Sequence, residues 1–403
     1  MSKWRKKQLQ EIAFLKPTET LKKGDIAPNI PMANIKEFQR DVVKIDYSEF
    51  RGGTKFRNGD TLLAKITPCL ENGKTAFVNC LQEDEIGFGS TEFIVLRAKE
   101  NIDERFLYYL SISPEFRKQA ISLMEGTSGR KRVNENALKI SDFLIPDFEE
   151  QRKIANILSA IDDKIQINNQ INQELEAMAK TLYDYWFVQF DFPDQNGKPY
   201  KSSGGKMVYN PELKREIPEG WGVASLFDVA EVQYGYPFST DYFNSTGDGV
   251  PVIRIRDILG NDITNYSTEE VEDKYKINVG DVLIGMDGNF HMNYWIKENC
   301  YLNQRVVKVN SDKLPNMVLK YQIEPFIKLR EKSVSRTTVG HLSDKDLKAI
   351  NVILPKEKYL SPIFERFENI LKNIIINQQQ NQELTRLRDW LLPMLMNGQV
   401  KVE

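Results

Sequence analysis

The sequence predicts an α+β protein built as an internal duplication: two mixed modules, each followed by one long helix. A polar-apolar helix pattern occurs twice. Shifting the chain by 209 positions lays Ile154, Ile161, Ile165, Asn168, Asn172, Glu174, Leu175 and Leu182 on Ile363, Ile370, Ile374, Asn377, Asn381, Glu383, Leu384 and Leu391 without a gap. A match this long and this polar exceeds generic amphipathicity and marks a repeat. The stretches before the helices are related more loosely. Trp4, Leu9 and Ala13 fall on Trp221, Leu226 and Ala230, and Gly59, Asp60 and Leu62 on Gly280, Asp281 and Leu283, with offsets that drift as loop insertions would make them. Each module reads as short strands joined by long irregular loops.

The first module is assigned to residues 1–146. A Gly-Asp turn leads into an apolar strand within Asn58–Ile66, a second strand is expected at Phe93–Arg97, and a short helix at Glu104–Leu110. The first long helix occupies 147–190. Pro146 ends the preceding strand, Asp147 is placed to cap, and Glu150 at the third helical position completes a capping-box-like pair, so the helix starts near Phe148. Its seam runs through Ile154, Leu158, Ile161, Ile165, Leu175, Ala179 and Leu182, with Asn168 and Asn172 filling the middle. Residues 191–210 form a linker, whose Asp194–Gly205 stretch has the polar, glycine-rich composition of a flexible connection.

The second module, 211–356, repeats the Gly-Asp strand within Val279–Met286 and adds strands at Val252–Ile255 and Arg305–Val309 and a helix at Lys320–Leu329. The second long helix occupies 357–403, with Ser361 as cap and Pro362 in the first turn, where a missing N–H costs nothing. Its seam is Ile363, Phe367, Ile370, Ile374, Asn377, Asn381, Leu384 and Leu391, and Pro393 is expected to bend or end it. Two matching seams in one chain have an economical partner in each other. About 35 residues per helix would reach about 50 Å, a rigid spacer. Asn168 and Asn172 are expected to meet Asn377 and Asn381 in a polar layer that costs stability and fixes register.

Composition narrows the function classes. The 403 residues carry a net charge of only −2, which neither demands nor forbids a nucleic-acid partner, because a binding face is a local property. The first residues have no apolar core behind their charges, as a secretory signal would, and no apolar run approaches membrane-spanning length. Cys69, Cys80 and Cys300 are odd in number and scattered, which argues for reduced cytosolic thiols and against zinc; His291 and His341 lie far apart in sequence.

The sequence carries no recognisable catalytic motif. Adenine methylation needs an Asn/Asp-Pro-Pro-aromatic turn, and Asn210-Pro211-Glu212 lacks the second proline and the aromatic ring. Gly73-Lys74-Thr75 resembles the end of a phosphate-binding loop, yet the glycine required five positions earlier is Pro68. Neither histidine lies near a Gly-x-Ser-x-Gly elbow.

In sequence order, the Gly-Asp strands, Gly87–Phe93, Leu144-Ile-Pro146 followed by Glu150–Ile154, Leu182–Phe187, Pro218–Gly222 and Trp390–Gly398 together make the whole chain resemble the specificity subunit of a type I restriction-modification system. The first module departs from the pattern, showing only Ser2-Lys-Trp4 where the second has Pro218-Glu-Gly-Trp221. The resemblance implies two target-recognition domains, each binding half of a split duplex-DNA target, held apart by two antiparallel coiled-coil helices with pseudo-twofold symmetry. It further implies a non-catalytic chain that binds no cofactor itself. Two modification (methyltransferase) subunits would use S-adenosylmethionine to methylate adenine, and restriction/translocase subunits would use ATP and Mg²⁺. The setting would be a prokaryotic cytoplasm, at the nucleoid through DNA.

On that reading, DNA contacts come from loops of the modules. Candidate phosphate anchors are Arg117, Lys118, Arg130, Lys131 and Arg132 in the first module and Lys328, Arg330, Lys332 and Arg336 in the second. Gly126–Gly129 before Arg130 would let cations and backbone donors approach phosphates. Candidate base readers, on loops after the Gly-Asp strands, are Lys65, Thr67, Asn72 and Lys74, and Asn289, His291, Asn293, Asn303, Gln304 and Arg305. Residues 147–190 hold eight acids against four bases, a balance suited to protein partners rather than phosphate. Tyr183, Tyr185, Trp186 and Phe187 either anchor such a partner or pack the helix end onto the adjacent module. From other classes, the same features also fit a non-catalytic coiled-coil scaffold whose modules bind protein, or an enzyme with an unfamiliar active site. Salt-sensitive binding to duplex DNA separates the scaffold from the specificity subunit.

Overall fold

The computed structural model describes residues 4–127, 129–333, 340–355 and 361–401. The chain divides into two compact units, residues 1–167 with 381–403, and residues 168–380.

The first unit opens with β1 (Arg5–Gln8), α1 (Leu9–Ile12) and β2 (Ala13–Leu15). It continues through β3 (Ile26–Ile30), β4 (Asp46–Glu49), β5 (Thr54–Phe56), β6 (Thr61–Ala64), β7 (Thr75–Phe77), β8 (Gly87–Gly89) and β9 (Phe93–Ala98). Then come α2 (Glu104–Ile112), α3 (Pro114–Ser122), β10 (Met124–Glu125), β11 (Arg132–Val133), α4 (Glu135–Lys139), β12 (Asp142–Ile145) and the start of α5 (Phe148–Tyr183). One sheet has the order β2-β9-β6-β7, another β4-β3-β8-β5, and β1 pairs antiparallel with β12. The strand β6 is buried throughout because both its faces are covered. Leu63 packs with Ile94, Leu96 and Phe106, and its neighbour Leu62 with Ile30, Phe56 and Phe93, as the two-residue period of a strand requires. Gly59 makes the turn into it at φ +87°, a conformation that a side chain would strain.

The second unit takes the rest of α5, a π-helical turn at Asp184–Val188 and the hairpin of β13 (Met207–Asn210) with β14 (Arg215–Pro218). It goes on with β15 (Gly222–Ser225), α6 (Leu226–Val229), β16 (Glu231–Tyr234), β17 (Phe243–Asn244), β18 (Val250–Ile253), β19 (Tyr266–Ser267) and β20 (Lys276–Ile277). After these stand β21 (Val282–Gly285), β22 (Met292–Tyr294), β23 (Cys300–Leu302), β24 (Val306–Asn310), α7 (Asn316–Ser333), α8 (Asp344–Lys348), β25 (Asn351–Leu354) and α9 (Ser361–Met396). Its sheets repeat the first unit's plan: β16-β24-β21-β22 mirrors β2-β9-β6-β7, β15–β25 mirrors β1–β12, and the remaining sheet runs β17-β19-β18-β23-β20. The duplication read from the helices therefore extends through the strands.

The long helices are shared between the units. Asp147 Oδ1 accepts from the Glu150 N–H at 3.0 Å, and α5 starts at the next residue, Phe148. The cap assigned to Ser361 concerns a side chain outside the described residues. In the first unit the α5 residues Ile154, Ala155 and Leu158 share a core with Leu392, Leu395 and Met396 of α9. In the second, Ile363, Phe367, Ile370 and Ile374 of α9 share a core with Ala179, Trp186 and Phe187. Each unit thus holds the start of its own helix and the end of the other.

Within the second unit Asn377 donates to Asn172 Oδ1 at 2.9 Å, Asn172 Nδ2 to the Ile374 carbonyl at 3.3 Å, and Asn168 Nδ2 to Gln380 Oε1 at 2.8 Å. One numbering rises as the other falls, so the helices pair antiparallel there.

Three details bear on what the sequence suggested. Pro393 does not end α9, which continues to Met396, because burial of Leu392, Leu395 and Met396 holds the last turn despite the lost N–H. The aromatic end of α5 takes the packed arrangement, one of the two readings the sequence left open. Trp186 and Phe187 are buried against Phe367, Tyr183 lies against Tyr321, and only Tyr185 of the four is exposed. The stretch expected as a loose connection is tied down: Tyr200 stacks on Phe192 at 4.7 Å, Phe192 on Trp221 at 4.9 Å, and Asp191 accepts from the Ser202 N–H and hydroxyl. Aromatic area buried in this way outweighs the polar composition around it.

Candidate nucleic-acid interface

In the first module the turn between β6 and β7 gathers most of the predicted contacts. Lys65 follows β6 directly, the Thr67–Pro68 peptide is cis, and Asn72 and Lys74 lead into β7. A second segment closes on this turn. The Thr67 N–H donates to the Lys131 carbonyl at 3.0 Å and the Val133 N–H to the Lys65 carbonyl at 2.9 Å, which brings Lys131 and Arg132 beside Lys65. Asn72, Lys118, Arg130 and Lys131 are exposed. Lys65 pairs with Glu135 at 3.2 Å, and Arg132 grips Glu92 through Nε and Nη2 at 2.8 to 3.1 Å, which holds the Glu92 carboxyl below its ordinary range. Thr67 donates to Glu71 at 2.8 Å and Lys74 to the Met32 carbonyl at 3.2 Å.

Arg117 is engaged within the turn rather than held out at the surface. Half-buried on α3, it donates to the Leu70 and Glu71 carbonyls at 3.0 Å each and braces the turn from below; burial lowers its pKa. A sequence shows the charge of such a residue and not the long-range carbonyls that consume its donors.

The second module builds the same crossing with different side chains. The Gly288 N–H donates to the Gly340 carbonyl at 2.9 Å and the Leu342 N–H to the Met286 carbonyl at 2.7 Å, the same ladder as Thr67–Lys131 and Val133–Lys65. Where the first module has Arg132 on Glu92, the second has His341 Nδ1 at 2.7 Å from Asp287 and Arg305 Nε at 3.3 Å from the same carboxylate. Arg305 and His341 converge although 35 residues of sequence lie between them; Asp287 and His341 were missed as site residues because only the fold joins their segments. Asn289 and Gln304 are exposed and His291 is half-buried on the neighbouring loops.

Other candidates are engaged in holding the fold. Asn293 Nδ2 donates to the Ile258 and Leu259 carbonyls at 3.1 and 3.3 Å, and the Asn303 side chain accepts from the Gln304 N–H at 2.7 Å. Lys328 pairs with Glu324 at 2.6 Å and Arg330 with Asp346 at 3.1 Å, while Lys332 is exposed at the end of α7. Arg336 lies outside the described residues, as does Ser128 of the Gly126–Gly129 loop. Among the described residues no group of His, Cys, Asp and Glu side chains is arranged to hold a metal, and no helix is long and apolar enough to cross a membrane.

Residues 1–177 and 218–386 match the family described as type I restriction modification DNA specificity domain. Similar proteins include the type I restriction enzyme MjaIX specificity subunit of Methanocaldococcus jannaschii, 28% identical over 319 residues, which are 76% of this chain and 71% of that one. The HindI specificity subunit of Haemophilus influenzae is 24% identical over 410 residues, 85% and 87% of the two chains. Among solved structures, the Type-I restriction-modification system S subunit from M. genitalium superposes with a TM-score of 0.55 over 98% of this chain and 96% of its own; at 16% identity this is a likeness of fold.

Proposed function

Because the chain belongs to the type I restriction-modification specificity subunits, we propose that it reads a bipartite, asymmetric duplex-DNA target, one half with each module, and docks the catalytic subunits of the complex. The observation that carries this reading is the crossing repeated in both modules. The same backbone ladder presents Lys65, Lys131 and Arg132 in one and Arg305 and His341 in the other. Equal scaffolds with unequal polar groups suit two dissimilar half-sites, since phosphate contacts position a module and base contacts specify it. The paired helices act as the spacer, and Asn172 with Asn377 fixes their register. The division into two recognition modules, two spacer helices and a short connection is carried over on the same grounds.

Two modification subunits would supply S-adenosylmethionine-dependent adenine methylation, and restriction/translocase subunits the ATP- and Mg²⁺-dependent steps, on duplex DNA in the cytoplasm. The test is to map methylated adenines in cells with and without this chain. One two-part motif should disappear on its removal. A Lys65→Ala, Lys74→Ala, Arg132→Ala variant should weaken binding and flatten its salt dependence by about one unit of slope for each phosphate no longer neutralised. An unchanged methylation map, or turnover by the purified chain alone, overturns the reading.

A further inference from the structure

Phe38 is an unusual residue beside the β6–β7 turn. It is 45% exposed, and its backbone sits at φ +54°, a left-handed conformation that a bulky side chain rarely adopts. Three contacts hold it there. Its N–H donates to the Gly73 carbonyl at 3.1 Å, Glu37 bridges to Lys74 one residue away, and the Arg117 guanidinium lies over the ring at 4.8 Å from its centre. Position 73 must stay glycine for the ring to fit, because a Cβ there would come within 2.6 Å of it. The chain therefore keeps an aromatic ring half in water, at a strained position, between Arg117, Lys74 and the exposed Asn72. Backbone strain of this kind persists where the surroundings over-determine it, most often at functional sites.

We propose that Phe38 is a specificity residue, whose ring makes apolar contact with the 5-methyl group of a thymine in the half-site read by the first module. The proposal rests on the reading of this turn as the DNA side. The chemistry favours that occupant. In an intact duplex the one apolar group displayed on a base edge in the major groove is the thymine methyl, and phenylalanine is among the side chains suited to it. The guanidinium already covers the ring, and Gly73 crowds one side, which leaves limited surface for a methyl rather than an open slot for an unstacked base. The flanking Lys65, Lys74 and Lys131 would hold the phosphates that bring the groove to it.

The test uses the full chain assembled with its modification subunits, on duplexes carrying the motif found by methylation mapping. Each thymine of the first half-site is replaced in turn by deoxyuridine, which removes only the methyl. The wild type should lose about fourfold in affinity at one position, what one buried methyl is worth, and Phe38→Gly should bind weakly and show no loss there. Glycine suits the left-handed backbone, so Phe38→Gly should unfold at no lower temperature than the wild type, which separates contact from folding; Phe38→Leu should fall between. Unchanged affinity and an unchanged deoxyuridine profile in Phe38→Gly overturn the proposal. So does weakened binding without sensitivity to any thymine methyl, which would indicate stacking. The Lys65, Lys74, Arg132 variant separates the two levels: if it changes salt dependence while Phe38→Gly changes nothing, only the role of Phe38 fails, and if neither matters, the interface itself is misplaced.

Discussion

Asp60 and Asp281 stand at the same place, the turn before each module's central strand, and are neutralised differently. Asp60 is fully buried and takes two hydrogen bonds of 2.7 Å from Arg97. Asp281, 1% exposed, accepts from the Asn278 N–H at 2.7 Å and has Lys308 nearby, whose ammonium is engaged by Glu231. Burial therefore dominates, and the Asp281 carboxyl is pushed up to about 6. Below the unfolded value, near 4, both states hold the proton and Asp281 is neutral in its effect. As pH rises from there to 6 the unfolded chain ionises while the folded one resists, so stability is lost across that window and the loss stays constant above it, at most about 3 kcal/mol. Asp281→Asn, which retains an acceptor for Asn278, should accordingly raise the unfolding free energy at pH 7 to 8 and leave it nearly unchanged at pH 4; equal effects at both pH values would refute the account. Both aspartates were legible as turn residues from the Gly-Asp pattern. Their partners were not, since Arg97 and Lys308 reach them only through strand pairing. For the same reason Lys65, Arg132 and Arg305 could be recognised as cations from sequence but not as members of ion pairs.

At the scale of the helices, the two pairings differ where the repeat makes them comparable. In the first unit Asp162 of α5 meets Arg388 of α9 at 2.9 Å, with both side chains 4% exposed, and Tyr109 also donates to Asp162 at 2.7 Å. The repeat lays these positions on Leu371 and Ala179, both buried in the second unit. The helix pairing is closed by a buried ion pair in the first unit and by apolar contact in the second. Arg388→Ala alone strands a buried carboxylate and should cost about 3–5 kcal/mol. The double change Asp162→Leu with Arg388→Ala, which copies the other unit, should recover more than half of that in a denaturant titration. A double variant no better than the single one would show that the pair is not replaceable by packing. The heptad seam, the cap at Asp147 and the asparagine positions were readable because they are local periodicities. The run of α9 past Pro393 was not, because tertiary burial overrides the proline.

The units of the whole molecule are interleaved in sequence. The first is completed by residues 381–403, and Leu392, Leu395 and Met396 share its core with Phe106, Phe116 and Ile154. Deleting everything after Gln380 should therefore unfold the first module and spare the second, although the cut lies far from the first in sequence. Hydrogen exchange on the truncated chain would show protection lost in β6 and β9 and kept in β21 and β24; the reverse pattern would contradict the packing described. Such an exchange of helix ends could not be read from the repeat alone, which shows that two segments are alike and not which core each enters. It also gives the protein an order of assembly. A ribosome adds roughly 5–20 residues each second, so the module made first waits, with part of its core uncovered, until the last turns of α9 emerge, while the second module already has all of its own residues.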